Sequence, residues 1–276
     1  MYRLGVVSFL NARPLIAGLE QVADVAPVHD VPARLPVLLA EQRVDAALLP
    51  IVDLLRNPGR YRVVSDACIG CDGETLTVRV FAQQPPESLN MLRVDQDSHT
   101  SVALAQVLWP RLFGRELEVC PLTADGRPLN NGEGLLLIGD KVVSPDRAQF
   151  AYEVDLGSAW REYTGLPFVF AVWAVSRTDR RQEGRDEWQA RLGRLLSAAR
   201  DRGERQAARI AATFGPQHGW PVALAERYLT RCLRYRLDER SRAGAELFGR
   251  LCVAAALAPP EARIDWPAEP LPKQAS

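Results

Sequence analysis

Three short stretches of this 276-residue chain carry small polar groups that could grip a ligand: Ser8 to Asn11, Ser98 to Ser101, and Gly139-Asp140. Each follows a short apolar run that reads as a strand, so each lies where a strand turns towards a helix. Such turns leave backbone N–H groups unpaired at the carboxyl edge of a sheet, and a helix N-terminus there favours an anion. If the three edges face one another, hydroxyls and free helical N–H groups would converge on a small, oxygen-rich anion. The usual catalytic signatures are missing: there is no G-x-S-x-G, H-E-x-x-H, G-x-x-x-x-G-K-[ST] or tight G-x-G-x-x-G. His29, His99 and His218 are the three histidines, and none has metal-ligand spacing to another. Cys68 and Cys71 form a C-x-x-C, but no second pair or nearby histidine supports metal or redox work. Composition and spacing thus predict a ligand cleft, without metal or cofactor, and stop short of a reaction.

The elements that would position these groups follow an α/β rhythm. Leu4 to Val7 reads as a buried parallel strand, after which Asn11 can cap a helix and Pro14 suits its first turn. Strands at Val25 to His29 and Val44 to Leu49 alternate with helices at Pro32 to Glu41 and Asp53 to Arg56. This pattern predicts parallel strands with right-handed crossovers. Tyr61 to Ile69 and Glu74 to Ala82 are extended, and Gln83-Gln84-Pro85-Pro86 is the candidate first crossing between lobes. A second α/β unit follows: a strand at Leu92 to Val94, a helix opened by Asp97 to Ser101, and strands at Glu116 to Cys120 and Leu135 to Ile138. Asp155 caps a helix ended by Thr164 to Pro167, and Phe168 to Ser176 could carry the chain back. The expected organisation is a discontinuous first lobe, 1–84 plus 175–257, a second lobe over 85–174, and a flexible tail over 258–276. From Asp186 onward everything reads as helical, with His218 as a turn residue.

Composition narrows the function classes. Lys+Arg 34 balances Asp+Glu 34, which leaves no basic footprint for nucleic acid. Only Lys141 and Lys273 are lysines, so the basic residues are almost all scattered arginines. No run approaches the roughly 18 apolar residues of a membrane span. The chain enters a strand by Leu4 without an export signal, and five cysteines lack a framework spacing. Both features lead us to expect a cytoplasmic protein.

Several stretches resemble one family in order. They are Ser8-Phe9-Leu10-Asn11-Ala12-Arg13-Pro14-Leu15, Ser98-His99-Thr100-Ser101-Val102-Ala103-Leu104, Ile138-Gly139-Asp140, Asp155-Leu156-Gly157…Trp160, and Thr164-Gly165-Leu166-Pro167-Phe168-Val169-Phe170-Ala171-Val172-Trp173. Together they look like the chorismate dehydratase family of the futalosine route to menaquinone, over about residues 3 to 255. The resemblance implies a two-lobed α/β fold of the periplasmic-binding-protein type (type II), here with a helical C-terminal portion. It implies a carbon–oxygen hydro-lyase that converts chorismate to 3-[(1-carboxyvinyl)oxy]benzoate and water. Its partner would be that small dicarboxylate, with no nucleic acid or membrane; no oligomeric state is implied. Asn11 would act on the substrate, with Ser8, Asp53, Thr77, Ser98, Thr100, Ser101, Gly139 and Asp140 lining its site. Three positions depart from the family pattern: His99 stands where arginine is usual, Asp53 where glutamate is frequent, and Thr77 where serine is common. The sister enzyme forming 1,4-dihydroxy-6-naphthoate shares the fold but opens S-P-C-P-N-D. A non-catalytic solute-binding protein is the alternative from another class.

Overall fold

In a computed structural model describing residues 1–95, 98–122, 128–143, 150–178 and 184–267, the chain builds two sheets. Strand β1 (Tyr2–Val7) pairs in parallel with β2 (Val25–Asp30) and β3 (Ala46–Pro50). Leu4 and Val6 are fully buried, as a continuous apolar run predicts for a strand covered on both faces. The next segment differs from expectation. Leu10–Ile16 is a 3-10 helix with Pro14 inside it; Phe9 is its N-cap residue, and Asn11 caps nothing. Proline supplies no N–H and restricts the residue before it, so a regular α-helix does not form there.

Helices α1 (Leu35–Ala40) and α2 (Ile51–Arg56) flank β3 in sequence, and β4 (Tyr61–Cys71) is the longest strand. The second sheet contains β5 (Val78–Ala82), β6 (Met91–Val94), β7 (Glu118–Pro121), β8 (Glu133–Ile138) and β9 (Tyr152–Asp155). Between β6 and β7 runs α3 (His99–Phe113), while Asp97, assigned to its opening, lies outside the described residues. After β9 come α4 (Leu156–Thr164) and β10 (Phe168–Ser176). The C-terminal portion holds α5 (Arg185–Arg205), α6 (Ala207–Phe214), α7 (Val222–Arg227), a π-helical turn at Tyr228–Cys232, and α8 (Glu239–Ala254). It is not all helical: β11 (Arg234–Arg236) adds an edge strand against β4. The first sheet runs β11-β4-β10-β3-β1-β2 and the second β7-β6-β8-β5-β9.

Both crossings lie earlier than residues 84 and 174. β5 pairs with β8 and β9, so it belongs to the second sheet, and the chain passes over at 72–77. All of β10 pairs in the first sheet, which places the return at Gly165 to Pro167. The proline pair Pro85-Pro86 breaks the chain inside the second unit instead, ahead of a 3-10 turn at Pro86–Ser88. A threonine-rich extended sequence, Thr75-Leu76-Thr77-Val78, masks the true break. Trp160 pins the return, donating its indole N–H to the Pro167 carbonyl at 3.2 Å and meeting Phe168 and Phe248 edge-on.

Residues 258–267, assigned to the tail, lie against the first sheet's layer. Val63 N–H donates to the Asp265 carbonyl at 2.9 Å, and the Trp266 indole donates to Glu246 at 3.2 Å. The remainder, 268–276, is outside the described residues.

Candidate active site

Between the two sheets lies a cleft of about 610 Å³, counted with its open mouth. Its wall includes Phe9 and Asn11 from the turn after β1, Thr75 and Thr77 from the first crossing, and Ser98, His99, Thr100 and Ser101 at the start of α3. Gly139, Phe170 and Tyr228 complete the polar and aromatic lining.

The tightest polar row runs through Tyr228, which is 1% exposed. Its hydroxyl is 2.7 Å from Thr77 Oγ1. Burial pushes the Tyr228 phenol up, against the pull of the Thr77 bond, so it stays neutral at physiological pH. Asn11 Oδ1 is buried and has no partner among the described residues. An unpaired buried acceptor is costly unless a ligand satisfies it. Trp220 stacks on the Tyr228 ring with centroids 4.8 Å apart and planes at 15°.

Opposite this row, α3 begins at the cleft. Ser98 is its N-cap residue and makes no side-chain cap bond, so the first-turn N–H groups and nearby hydroxyls are available to an oxygen-rich ligand. The Thr100 hydroxyl is engaged, donating to the Phe170 carbonyl at 3.2 Å and tying α3 to β10. His99 Nδ1 lies 3.0 Å from both oxygens of Asp53, a 6%-exposed carboxylate on α2. A carboxylate only accepts, so Nδ1 carries the proton and Nε2 is left for the ligand. His99 and Asp53, two of the positions singled out by sequence, thus pair with each other.

Gly139 closes the cleft at a φ of +59°, and a Cβ there would meet the Phe9 ring at 3.1 Å. The positive φ favours glycine, and any Cβ would need the Phe9 ring to give by a few tenths of an ångström. Asp140 faces away from the lining and binds the C-terminal portion. It accepts from Leu10 N–H at 3.4 Å and Trp220 Nε1 at 2.9 Å, and its other close partner is His218 Nδ1 at 2.7 Å. His218 is thus an Asp140 partner as well as a turn residue.

The first crossing is held under strain. Leu76 has a φ of +66°, and Thr77 N–H donates to the Thr75 carbonyl at 2.8 Å, closing a γ-turn of the disfavoured hand. The Asp155 carboxylate accepts from Thr75 and Leu76 N–H at 3.0 and 2.8 Å, and from Gly157 and Ser158 N–H at 3.0 Å each. One side chain therefore caps α4 and fixes the turn that presents Thr77.

Of the residues singled out by sequence, Asn11, Thr77, Ser98, Thr100, Ser101 and Gly139 share the cleft wall. Ser8 does not: it is exposed and outside the lining, because the chain turns after Val7 and sends Phe9 inward. Asp53 stands behind His99, and Asp140 behind Trp220. Sequence reasoning missed Tyr228, Phe9 and Trp220 as site residues; His99 was marked only as a departure. Cys68 and Cys71 are buried, and burial drives both thiols well above their ordinary range. No group of three His, Cys, Asp or Glu suited to a metal is present among the described residues.

Comparison with known proteins agrees with this arrangement. The family described as menaquinone biosynthesis matches residues 2–254. A chorismate dehydratase of Thermus thermophilus is 28% identical over 272 residues, spanning 86% of this chain and 94% of its own. A chorismate dehydratase of Campylobacter jejuni is 28% identical over 174 residues, 60% of this chain and 64% of that one. Among solved structures, protein AF1704 of Archaeoglobus fulgidus superposes with a TM-score of 0.71 at 15% identity, covering 93% of this chain and 98% of that chain. The periplasmic aliphatic sulphonate binding protein SsuA of Escherichia coli gives 0.64 at 15% identity, covering 95% and 94%. At such identities the structural likeness is one of fold: two α/β units around a cleft, the periplasmic-binding-protein arrangement. With the profile match running from β1 to the end of α8, the chain belongs to the menaquinone biosynthesis family.

Proposed function

We propose that this protein is a chorismate dehydratase, a carbon–oxygen hydro-lyase that forms 3-[(1-carboxyvinyl)oxy]benzoate and water. One observation carries the reading beyond the family. A single cleft sets an unpaired amide oxygen on Asn11 across from the open start of α3, where Ser98, His99 and Ser101 gather. The α3 end suits a carboxylate of the substrate, and His99, held by Asp53, lines the same end of the cleft. Asn11 Oδ1 can accept from the ring hydroxyl and fix its orientation.

The reaction needs little acid–base power, because aromatisation drives it. The ring hydrogen beside the hydroxyl-bearing carbon leaves as a proton, its bonding pair becomes a ring double bond, and the C–O bond breaks. Hydroxide and proton together make the water. The protein's part is to hold two carboxylates, align the breaking bonds and exclude bulk water. The aromatic and apolar lining from Phe9, Phe170 and Ile138 suits the ring and its exclusion from solvent. A reducing cytoplasm suits the five unpaired cysteines.

The test is direct. Incubated with chorismate, the protein should yield a product lighter by one water, with an aromatic absorbance. Unchanged chorismate would remove the proposal.

Ligand is expected to join the two sheets more tightly, as two lobes hinged at 72–77 and 165–167. Phe9 against Gly139, His99 with Asp53, and Thr100 on Phe170 are contacts that already cross between the two units and that ligand would reinforce. Chorismate should therefore slow amide hydrogen exchange at Thr75 to Thr77 and lower the radius of gyration in solution scattering. Unchanged exchange and radius would indicate a rigid body.

A further inference from the structure

We propose that Asp140 is a positioning residue of this cleft, a carboxylate of the second unit that latches three donors of the first and seats the turn carrying Asn11. Its effect on turnover rests on the dehydratase reading above. Asp140 follows β8 directly, in the short helical turn Gly139–Val142. The partners of its side chain all lie in the other unit. Leu10 opens the 3-10 turn after β1, and His218 and Trp220 sit in the loop between α6 and α7. That loop is tied to the same 3-10 turn by Arg13, whose guanidinium lies 4.5 Å from the centre of the Phe214 ring.

A carboxylate only accepts, so all three bonds run from the first unit to the second. Oδ1 takes the Trp220 indole N–H at 2.9 Å; Oδ2 takes His218 Nδ1 at 2.7 Å and, more loosely, Leu10 N–H at 3.4 Å. No arginine or lysine pairs with Asp140 among the described residues, and His218 is its one ion-pair partner there. The charge is therefore spent on directed N–H donors, and bonds to an ionised acceptor are stronger than neutral ones. Both sides of the latch are held in place beforehand. The Gly215 carbonyl accepts from His218 N–H at 3.0 Å and from Trp220 N–H at 2.9 Å, so one oxygen sets the loop that presents both side chains. On the other side, Gly139 N–H donates to the Thr77 carbonyl at 2.9 Å, which ties the base of Asp140 to the first crossing.

Each partner stands one step from the cleft wall. Leu10 precedes Asn11, and Trp220 stacks on Tyr228, whose hydroxyl meets Thr77. Asp140 itself is not part of the lining, so its influence on a substrate runs through these neighbours. Separating the two units would part Asp140 from all three donors at once. The latch and the complete wall therefore form together, with Asn11 and Tyr228 brought to face Gly139 and the start of α3.

Asp140→Ala removes the three bonds and changes no residue of the lining. In the protein without ligand, amide exchange at Leu10 to Ala12 should quicken at least about tenfold while β3 and β8 keep parental rates, because the opening is local. A role in overall stability alone would quicken the strands as well. With chorismate as substrate, kcat/KM should fall at least about thirtyfold, since reacting groups displaced by about 1 Å lose rate on that scale. Asp140→Asn keeps the shape and one oxygen and so cannot serve all three donors; it should lie between Asp140→Ala and the parent in both measurements. Parental exchange at Leu10 to Ala12, exchange quickened throughout, or an Asp140→Ala protein within about threefold of the parent in kcat/KM would overturn the proposal and leave the dehydratase reading intact. If Asp140→Ala fails to fold, Asp140→Asn decides: parental exchange and kcat/KM there overturn it. A parent inactive on chorismate removes the dehydratase reading, and the exchange rates alone then decide the latch.

Discussion

Asn11→Asp should melt like the parent and lose at least about two orders of magnitude in kcat/KM, roughly 2.7 kcal/mol of transition-state stabilisation. The substitution is nearly isosteric and sits inside the 3-10 turn Leu10–Ile16, where the side chain makes no cap bond for it to break. Asn11 is only part-buried, so a carboxylate there can draw on cleft water. The functional consequence is chemical. The carboxylate loses the amide's N–H donor and sets a negative charge before the substrate's two carboxylates. A well-folded Asn11→Asp protein that turns over chorismate at the parent's rate would end the role assigned to Asn11. Circular dichroism melts and steady-state kinetics on the same preparation decide it.

What the sequence made legible was local. Leu4 to Val7 announced a buried strand, and the Ser98 to Ser101 stretch announced a helix opening, because each signal lies within a few residues of its consequence. Gly139 was legible for the same reason: a strand, then glycine, then an acid. Asn11 was singled out by sequence, but its expected cap bond is absent and its oxygen has no partner among the described residues. Tyr228, Trp220 and His218 sit in segments whose own patterning says only helix and turn, and their partners Thr77 and Asp140 are 151, 80 and 78 residues away. The crossings escaped for a different reason. Proline pairs attract attention as breaks, whereas the chain passes between the sheets through a γ-turn within an extended threonine-rich run, stabilised by an acid some 80 residues distant.

That acid, Asp155, makes the second large prediction. Asp155→Ala should lower stability by about 3 kcal/mol or more, the scale for removing a buried charged acceptor with several donors. For a chain of this size that corresponds to a Tm lower by roughly 6–12 °C. Four backbone N–H groups would lose their acceptor together: Thr75 and Leu76 in the crossing, Gly157 and Ser158 in the first turn of α4. Arg79, 3.5 Å away, would lose one of its acidic partners. Two effects oppose each other at this carboxylate. Burial raises its pKa, while the backbone donors and Arg79 pull it down, and the net shift is upward. The carboxylate still serves the fold because no neutral group of the same size offers both oxygens as acceptors. Asp155→Asn makes the distinction measurable. With its oxygen at the Oδ1 position it keeps Thr75, Gly157 and Ser158 but turns an NH2 towards Leu76 N–H. It should therefore keep most of the α4 cap and lose the crossing, with a smaller fall in Tm and a disproportionate fall in kcat, since Thr77 hangs on the Leu76 turn. An Asp155→Asn protein impaired in stability and kcat as severely as Asp155→Ala would point to charge as the requirement, and an Asp155→Ala protein as stable as the parent would remove the clamp altogether.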